Sequence, residues 1–276
     1  MTQRLQNSYT EFKAFEKAGW EEAAQSYHLG FSAITPQAAH SLVKALDILP
    51  GQRVLDVATG PGYAAAAAAL RGAQVLGIDF SEAAVALAQR EFPGLEVRLG
   101  DAESLDLPAG RFDSVLMNFV VMHLAHPEKA LSEAWRVLKP GGSLAFSAWA
   151  KPQEAVAFDL VLKAVQAHGD PQVALPEGPA FFHYSEASNS SAALLAAGFS
   201  QVRIQAVPQI WRFQDADTLF LTMIQGTVRT GALLRAQNPE ALLEIRRALS
   251  EACEKFRHKS GYQLPMPALL AIGKKP

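Results

Sequence analysis

The residues best placed to do chemistry gather around a glycine-rich turn. Arg53 to Ala58 is a short apolar run, and Thr59-Gly60-Pro61-Gly62 breaks it. A strand that turns sharply into a helix while its backbone approaches a ligand needs positive φ and no Cβ in the way, which glycine supplies. Gly60 to Ala65 fits the dinucleotide pattern G-x-G-x-x-G/A, a pattern that ligand-free glycine turns also satisfy. Asp79 ends the next apolar run, 19 residues beyond Gly60. A carboxylate there can accept both hydroxyls of a ribose, in NAD or in S-adenosylmethionine alike. Gly100-Asp101-Ala102-Glu103 follows the third run. Its first carboxylate suits an adenine amino group, and the backbone N–H after it suits a ring nitrogen.

Two histidines follow, in Asn118-Phe-Val-Val-Met-His123-Leu-Ala-His126-Pro. His123 lies just past a strand end, where it reads as a general base or as a hydrogen-bonded structural histidine. His126 precedes a proline at a helix start and reads as a cap. The single cysteine, Cys253, sits in a helical stretch with no histidine beside it and reads as structural. The basic pairs Arg246-Arg247 and Lys274-Lys275 read as a solvated helix face and a solvated tail.

These groups need elements to hold them. Residues 1–48 are polar-mixed and helical. Runs at Arg53–Ala58, Gln74–Asp79, Leu95–Leu99, Phe112–Asn118 and Ser143–Trp149 read as strands. An alanine-rich helix to Leu70, a helix capped by Ser81 and a helix opened by Pro127 separate them. Strands that alternate with helices imply βαβ units and a parallel sheet. Beyond Trp149, Phe199–Val207 reads as a strand, Gln209–Phe213 as its continuation or partner, 215–258 as mainly helical, and Leu264–Gly273 as one closing strand.

The order of these motifs, from Val54-Leu-Asp56-Val-Ala58 through Arg136-Val-Leu-Lys-Pro-Gly-Gly142, resembles the class I S-adenosylmethionine-dependent methyltransferases. It resembles in particular the group like the ubiquinone and menaquinone C-methyltransferases. The resemblance covers residues 50–150 closely and is topological elsewhere. It implies a Rossmann-like, doubly wound α/β fold, with a mostly parallel seven-stranded sheet, an antiparallel last strand and a helical lid. It also implies one domain in three parts: a helical cap over 1–48, a cofactor-binding core over 49–150, and sheet completion with a substrate-pocket insertion over 151–276.

S-adenosyl-L-methionine is the cofactor so implied. Asp56, Gly60 and Gly62 match the motif around its methionine end, and Asn118 the strand end beside it. Asp79 matches the ribose acid, Phe80 the residue beside the adenine, and Asp101 and Ala102 the adenine edge. The family's first glycine is Ala58 here, a change that a negative φ would accommodate. Tyr27, with Phe31, falls on the N-terminal helix that such proteins use as a lid, or else tethers that helix. Trp149, Phe181, Phe182, His183, Trp211, Phe213 and Met223 fall where the family builds its acceptor pocket.

Composition narrows the partners. The chain has 276 residues, 49% hydrophobic and 19% charged, with net charge -2. That balance favours a packed core and argues against nucleic acid. The N-terminus has no secretory pattern and no run spans a bilayer, so a cytoplasmic monomer or homodimer is expected. No metal cluster is expected. The expected activity is methyl transfer to a small apolar or aromatic acceptor. An NAD-binding oxidoreductase is the alternative, disfavoured by the lack of a second mononucleotide half. A non-catalytic S-adenosylmethionine-binding protein is another.

Overall fold

Five short apolar runs, each released by a turn, become adjacent parallel strands in the computed structural model, which describes residues 2–259 and 261–276. They are β1 (Arg53–Val57), β2 (Gln74–Asp79), β3 (Glu96–Leu99), β4 (Phe112–Asn118) and β5 (Leu138–Trp149). Helices α1 (Thr2–Phe31) and α2 (Thr35–Ala45) precede them, and α3 (Tyr63–Ala69), α4 (Glu82–Glu91) and α5 (Pro127–Val137) connect them. Then follow α6 (Val156–His168), α7 (Ala187–Ala196), β6 (Ser200–Val207), β7 (Ile210–Phe213), α8 (Asp217–Gln225), α9 (Arg229–Arg235) and α10 (Pro239–Cys253). The last elements are β8 (Arg257–His258), β9 (Gly261–Pro265) and β10 (Ala268–Lys274).

The main sheet has seven strands in the order β3-β2-β1-β4-β5-β10-β6. β10 runs antiparallel to both its neighbours, and the β1–β5 pairings are parallel. This is the expected Rossmann-like sheet with its antiparallel last strand. The chain runs outward from β1 to β3, then crosses back to β4. The carboxyl ends of β1 and β4 therefore splay apart, which is where ligands of open α/β sheets bind.

Central strands covered on both faces need apolar residues on both, and Val54, Leu55, Val57, Val115, Leu116 and Met117 are all fully buried. Each such side chain contributes about 1.5–3 kcal/mol. The alanines of α3 let that helix sit close to the sheet, with Ala64, Ala65, Ala67 and Ala68 buried. Ser81 caps α4 by accepting from the Ala84 N–H at 3.1 Å, as its sequence position predicts. No helix among the described residues is long and apolar enough to cross a membrane.

The structure corrects several expectations. Leu264–Gly273 is two strands, because Pro265 and Pro267 bracket Met266 and neither can donate to a ladder. β9 joins β7 and β8 in a separate three-stranded sheet, so Gln209–Phe213 neither continues β6 nor pairs with it. Lys275 is not in a solvated tail. It is buried, its Nζ donates to the carbonyls of Trp135 and Leu138 at 2.8 and 2.7 Å, and it lies 3.9 Å from the centre of the Trp135 ring. Those carbonyls lie at the end of α5, where a cation is favoured. His126 occupies the N-cap position of α5 without a side-chain cap bond; its Nδ1 lies 3.1 Å from Glu128 Oε1 instead. Cys253 is buried, and burial pushes its thiol up to about 11, consistent with a structural role.

Candidate active site

The turn after β1 is held from behind. Asp56 is 1% exposed and accepts from Thr59 Oγ1 at 2.6 Å and from the Ala65 N–H at 2.9 Å. Its Oδ1 is buried without a partner among the described residues, and burial pushes its carboxyl up to about 7. Asp56 thus shapes the turn and is not among the residues lining the cleft beyond it. Gly62 also stands back from the cleft. It is the N-cap of α3 with φ +89°, packed toward Phe92 and Ala88.

Ala58, Gly60 and Pro61 face the cleft. Ala58 has φ +51°, so the negative φ expected of it is not found, and a Cβ sits in the left-handed region that favours glycine. Gly60 has φ +52°, and a Cβ built on it would meet nothing within 4 Å. Its outer face is therefore open to a ligand. Gly60 donates its N–H to Asp79 Oδ2 at 2.8 Å, and the Ser81 N–H donates to Asp79 Oδ1 at 3.0 Å. Asp79 is 5% exposed, and burial pushes its carboxyl up to about 6 despite these bonds.

Phe80, Asp101, Ala102 and Asn118 complete the sheet side of a cleft of about 1000 Å³ that opens to solvent. Asp101 Oδ1 accepts from the Glu103 N–H at 3.0 Å. Arg136, on α5, donates to the carbonyls of Leu105 and Leu107 and to Glu133, which fixes the segment just beyond. Asn118 donates Nδ2 to the Thr35 carbonyl at 3.3 Å and accepts from Ser147 at 2.9 Å, so its amide is oriented from two sides.

The opposite wall is α1. Lys13, Trp20, Ala24 and Tyr27 all line the cleft. Lys13 Nζ bridges Asp101 at 2.6 Å and Glu103 at 2.9 Å. Burial works against its charge, but the two carboxylates prevail and its pKa is raised. Glu21 reaches α4, accepting from Ser81 Oγ at 2.7 Å and from the Ala83 N–H at 2.9 Å. His28 Nδ1 meets the Tyr63 hydroxyl at 2.8 Å. Burial pushes the Tyr27 hydroxyl up to about 12, so it stays a neutral group. Tyr27 also stacks on Phe31 at 5.0 Å, as an aromatic tether for α1 would.

His123 lines this cleft and a second, smaller pocket beside it that also opens to solvent. The second cavity is walled by Phe31, Phe119, Trp149, Phe158 and Phe181, with Arg229 at its edge. Of the aromatics expected near an acceptor, Trp149 and Phe181 are there. Phe182, His183, Trp211, Phe213 and Met223 are not among its lining residues. Trp211 instead stacks on Phe31 at 5.4 Å, and Phe213 on Tyr262 at 5.6 Å.

Residues 55–146 match a protein family described as a methyltransferase domain. The demethylmenaquinone methyltransferase of Renibacterium salmoninarum is 38% identical over 111 residues, 40% of this chain and 47% of that one. The enzyme of the same name from Thermus thermophilus is 43% identical over 125 residues, 43% and 56% of the two chains. The matched stretch, residues 55–146, is thus similar to a methyltransferase domain. The chain spans about half the length of the curated relatives it matches. The matched stretch accounts for β1 to β5 and the helices between them. Beyond it, the likeness is one of fold. Phosphoethanolamine N-methyltransferase 2 of Haemonchus contortus, in complex with S-adenosyl-L-methionine, superposes with a TM-score of 0.56 at 16% identity. That match covers 96% of this chain and 60% of the other.

The sequence reading missed Lys13, Glu16, Trp20 and Arg229. Glu16, Trp20, Tyr27 and Phe31 recur at helical spacing along one face of α1, a signal that was present. The partners that Lys13 and Glu16 meet, Asp101 and His123, lie more than 80 residues away and were not legible.

Proposed function

We propose that the chain is an S-adenosylmethionine-dependent methyltransferase acting on a small apolar or aromatic acceptor. The observation that carries this reading is the pair of adjoining cavities, which share Trp20, Tyr27, Phe119 and His123. One presents carboxylates and an open glycine turn at the sheet's carboxyl edge; the other is aromatic. The donor set fits the cofactor. Asp79 accepts the ribose hydroxyls, Asp101 and the Ala102 N–H take the adenine edge beside Phe80, and the open face of Gly60 next to Ala58 takes the methionine end with Asn118. When bound, S-adenosylmethionine supplies a methyl group already activated on a sulfonium centre, so the protein's task is positioning and exclusion of water. Trp20 and Tyr27 on α1 close the cleft for that task. Residues 1–48 serve as the cap, 49–150 as the cofactor core, and 151–276 complete the sheet and the acceptor pocket.

Calorimetric titration with S-adenosylhomocysteine and with NAD separates this reading from an oxidoreductase. S-adenosylhomocysteine should bind and NAD should not; the reverse result sinks the proposal. Cell extracts supplied with methyl-labelled cofactor should then yield a labelled small molecule only when the protein is added. Binding without any labelled product points to a non-catalytic cofactor-binding protein.

A further inference from the structure

Glu16 is fully buried on the face of α1 that closes the cleft. Its Oε2 accepts from Trp20 Nε1 at 3.0 Å and lies 3.1 Å from His123 Nδ1. Its Oε1 is buried with no partner among the described residues. A buried carboxylate with an unmet oxygen costs free energy unless a neighbouring group offsets it, and what sets Glu16 apart is that its other oxygen faces an imidazole that lines both cavities. Arg229, on α9 and half-buried, interacts electrostatically with Glu16. Arg229 lies over the rings of Phe12 and Phe181 at 5.2 and 5.5 Å and donates to the Pro179 carbonyl at 2.8 Å.

The imidazole of His123 packs nearly perpendicular to two rings, Trp20 at 5.0 Å and Phe181 at 5.5 Å. With Nδ1 turned to a carboxylate, the proton of neutral His123 sits on Nδ1 and the basic lone pair on Nε2. Nε2 has no hydrogen-bond partner among the described residues. The ionisable groups around it are Glu16, Lys13 and Tyr27 from α1 and Arg229 from α9, with Asp101 and Glu103 across the cleft. The cavity beside His123 has a stacked floor, Phe119 on Trp149 with centroids 3.9 Å apart, and Phe158 edge-on to Trp149 at 5.5 Å.

We propose that Glu16 and His123 form a proton-accepting pair, and that the second cavity takes a flat aromatic acceptor bearing a weakly acidic hydroxyl. This rests on the methyltransferase reading for its purpose. The chemistry itself is one proton transfer. The acceptor O–H bond breaks, its proton moves to His123 Nε2 and its electron pair stays on oxygen. Glu16 is the positioning residue; it fixes the tautomer and balances the imidazolium. The pair exists only while α1 lies on the sheet, so the lid delivers half of the base.

The test uses 4-nitrophenol, whose phenolate is yellow, titrated into the full chain alone and with S-adenosylhomocysteine. The buffer is held below the pH at which the free phenol ionises. The wild type should bind it and raise the phenolate-to-phenol ratio at least tenfold over free solution. Glu16→Gln should retain binding and lose that gain, and Glu16→Asp should restore part of it. Glu16→Gln also leaves Arg229 without its counter-charge, so colour that persists there would assign the effect to Arg229 and overturn the pair. His123→Asn, at a partly exposed position, is the second variant should Glu16→Gln fail to fold; an unchanged ratio in it overturns the proposal as well. Failure of the wild type to bind the phenol while it binds S-adenosylhomocysteine sinks the acceptor class. A colour shift without nucleoside binding sinks the methyltransferase reading and leaves the pair standing.

Discussion

Gly60 donates its backbone N–H to Asp79 Oδ2 at 2.8 Å, and this bond ties the turn after β1 to the tip of β2. One side chain therefore shapes the glycine turn and presents the carboxylate beside it. Asp79→Ala should weaken S-adenosylhomocysteine binding by about 1.5–3 kcal/mol, the range for hydrogen bonds to a charged group. An unchanged Kd by calorimetry would remove the ribose assignment.

The same carboxyl sets a pH dependence. Burial pushes Asp79 up to about 6, and the ionised form is the one that accepts two hydroxyls. Binding therefore favours loss of a proton. Affinity should fall as pH drops through about 6 and level off above it, with proton release detectable in buffers of different ionisation enthalpy. Asp79→Asn should give a weaker and flat profile; a sloped one assigns the titration to another group.

Gly60→Val tests the cradle separately from its acid. A Cβ there meets no protein atom within 4 Å, so the cost inside the protein is the strain of a branched residue at φ +52°. The variant should fold, melt lower, and lose more cofactor affinity than Asp79→Ala. Normal binding would show that this turn is not the cradle.

Ala58→Gly should stabilise the chain. An L-residue in the left-handed region costs roughly 1–2 kcal/mol, and the extra chain entropy of glycine offsets roughly 0.5–1 kcal/mol of the relief. A Tm rise of a few degrees is expected in thermal unfolding, and a fall would mean that Ala58 is not strained.

Asp56 controls the stability of the ligand-free chain against pH. Its carboxyl is raised by burial from 3.8 to about 7, so the folded state holds a proton that the unfolded state has lost. Its contribution is full below about pH 4 and is lost as pH rises through about 7, an effect on the order of a few kcal/mol. Denaturant unfolding across that window should show the decline, and Asp56→Asn should make it shallower and leave the share set by Asp79, whose carboxyl is also raised.

How much of this was legible depends on where each residue's partner lies. Asp79 and Asp101 were readable because each follows its own strand, and the sheet order then brings the strand ends together. Ala58 was readable as a departure but its φ was not, since backbone conformation there is imposed by the Asp56 and Asp79 hydrogen bonds. Lys275 looked like a tail because its partners, the carbonyls of Trp135 and Leu138, lie some 140 residues earlier. Glu16 was one carboxylate among many on a polar helix until α1 was laid across His123. Charge and periodicity give a helix its buried face; they do not say which strand end that face will meet.

The placement of β10 between β5 and β6 has a consequence for how the chain reaches this structure. β6 pairs only with β10 in the main sheet, so it waits as an unpaired edge until a segment some 60 residues later arrives. Closing that loop costs entropy before any ladder bond rewards it, which makes it a slow event in an otherwise local βαβ assembly. During that wait Val202 and Ile204 stand on an open strand, the kind of edge that recruits other chains. Refolding yield should therefore fall with protein concentration, and the early, aggregation-prone species should already contain β1 to β5 while lacking the antiparallel pair.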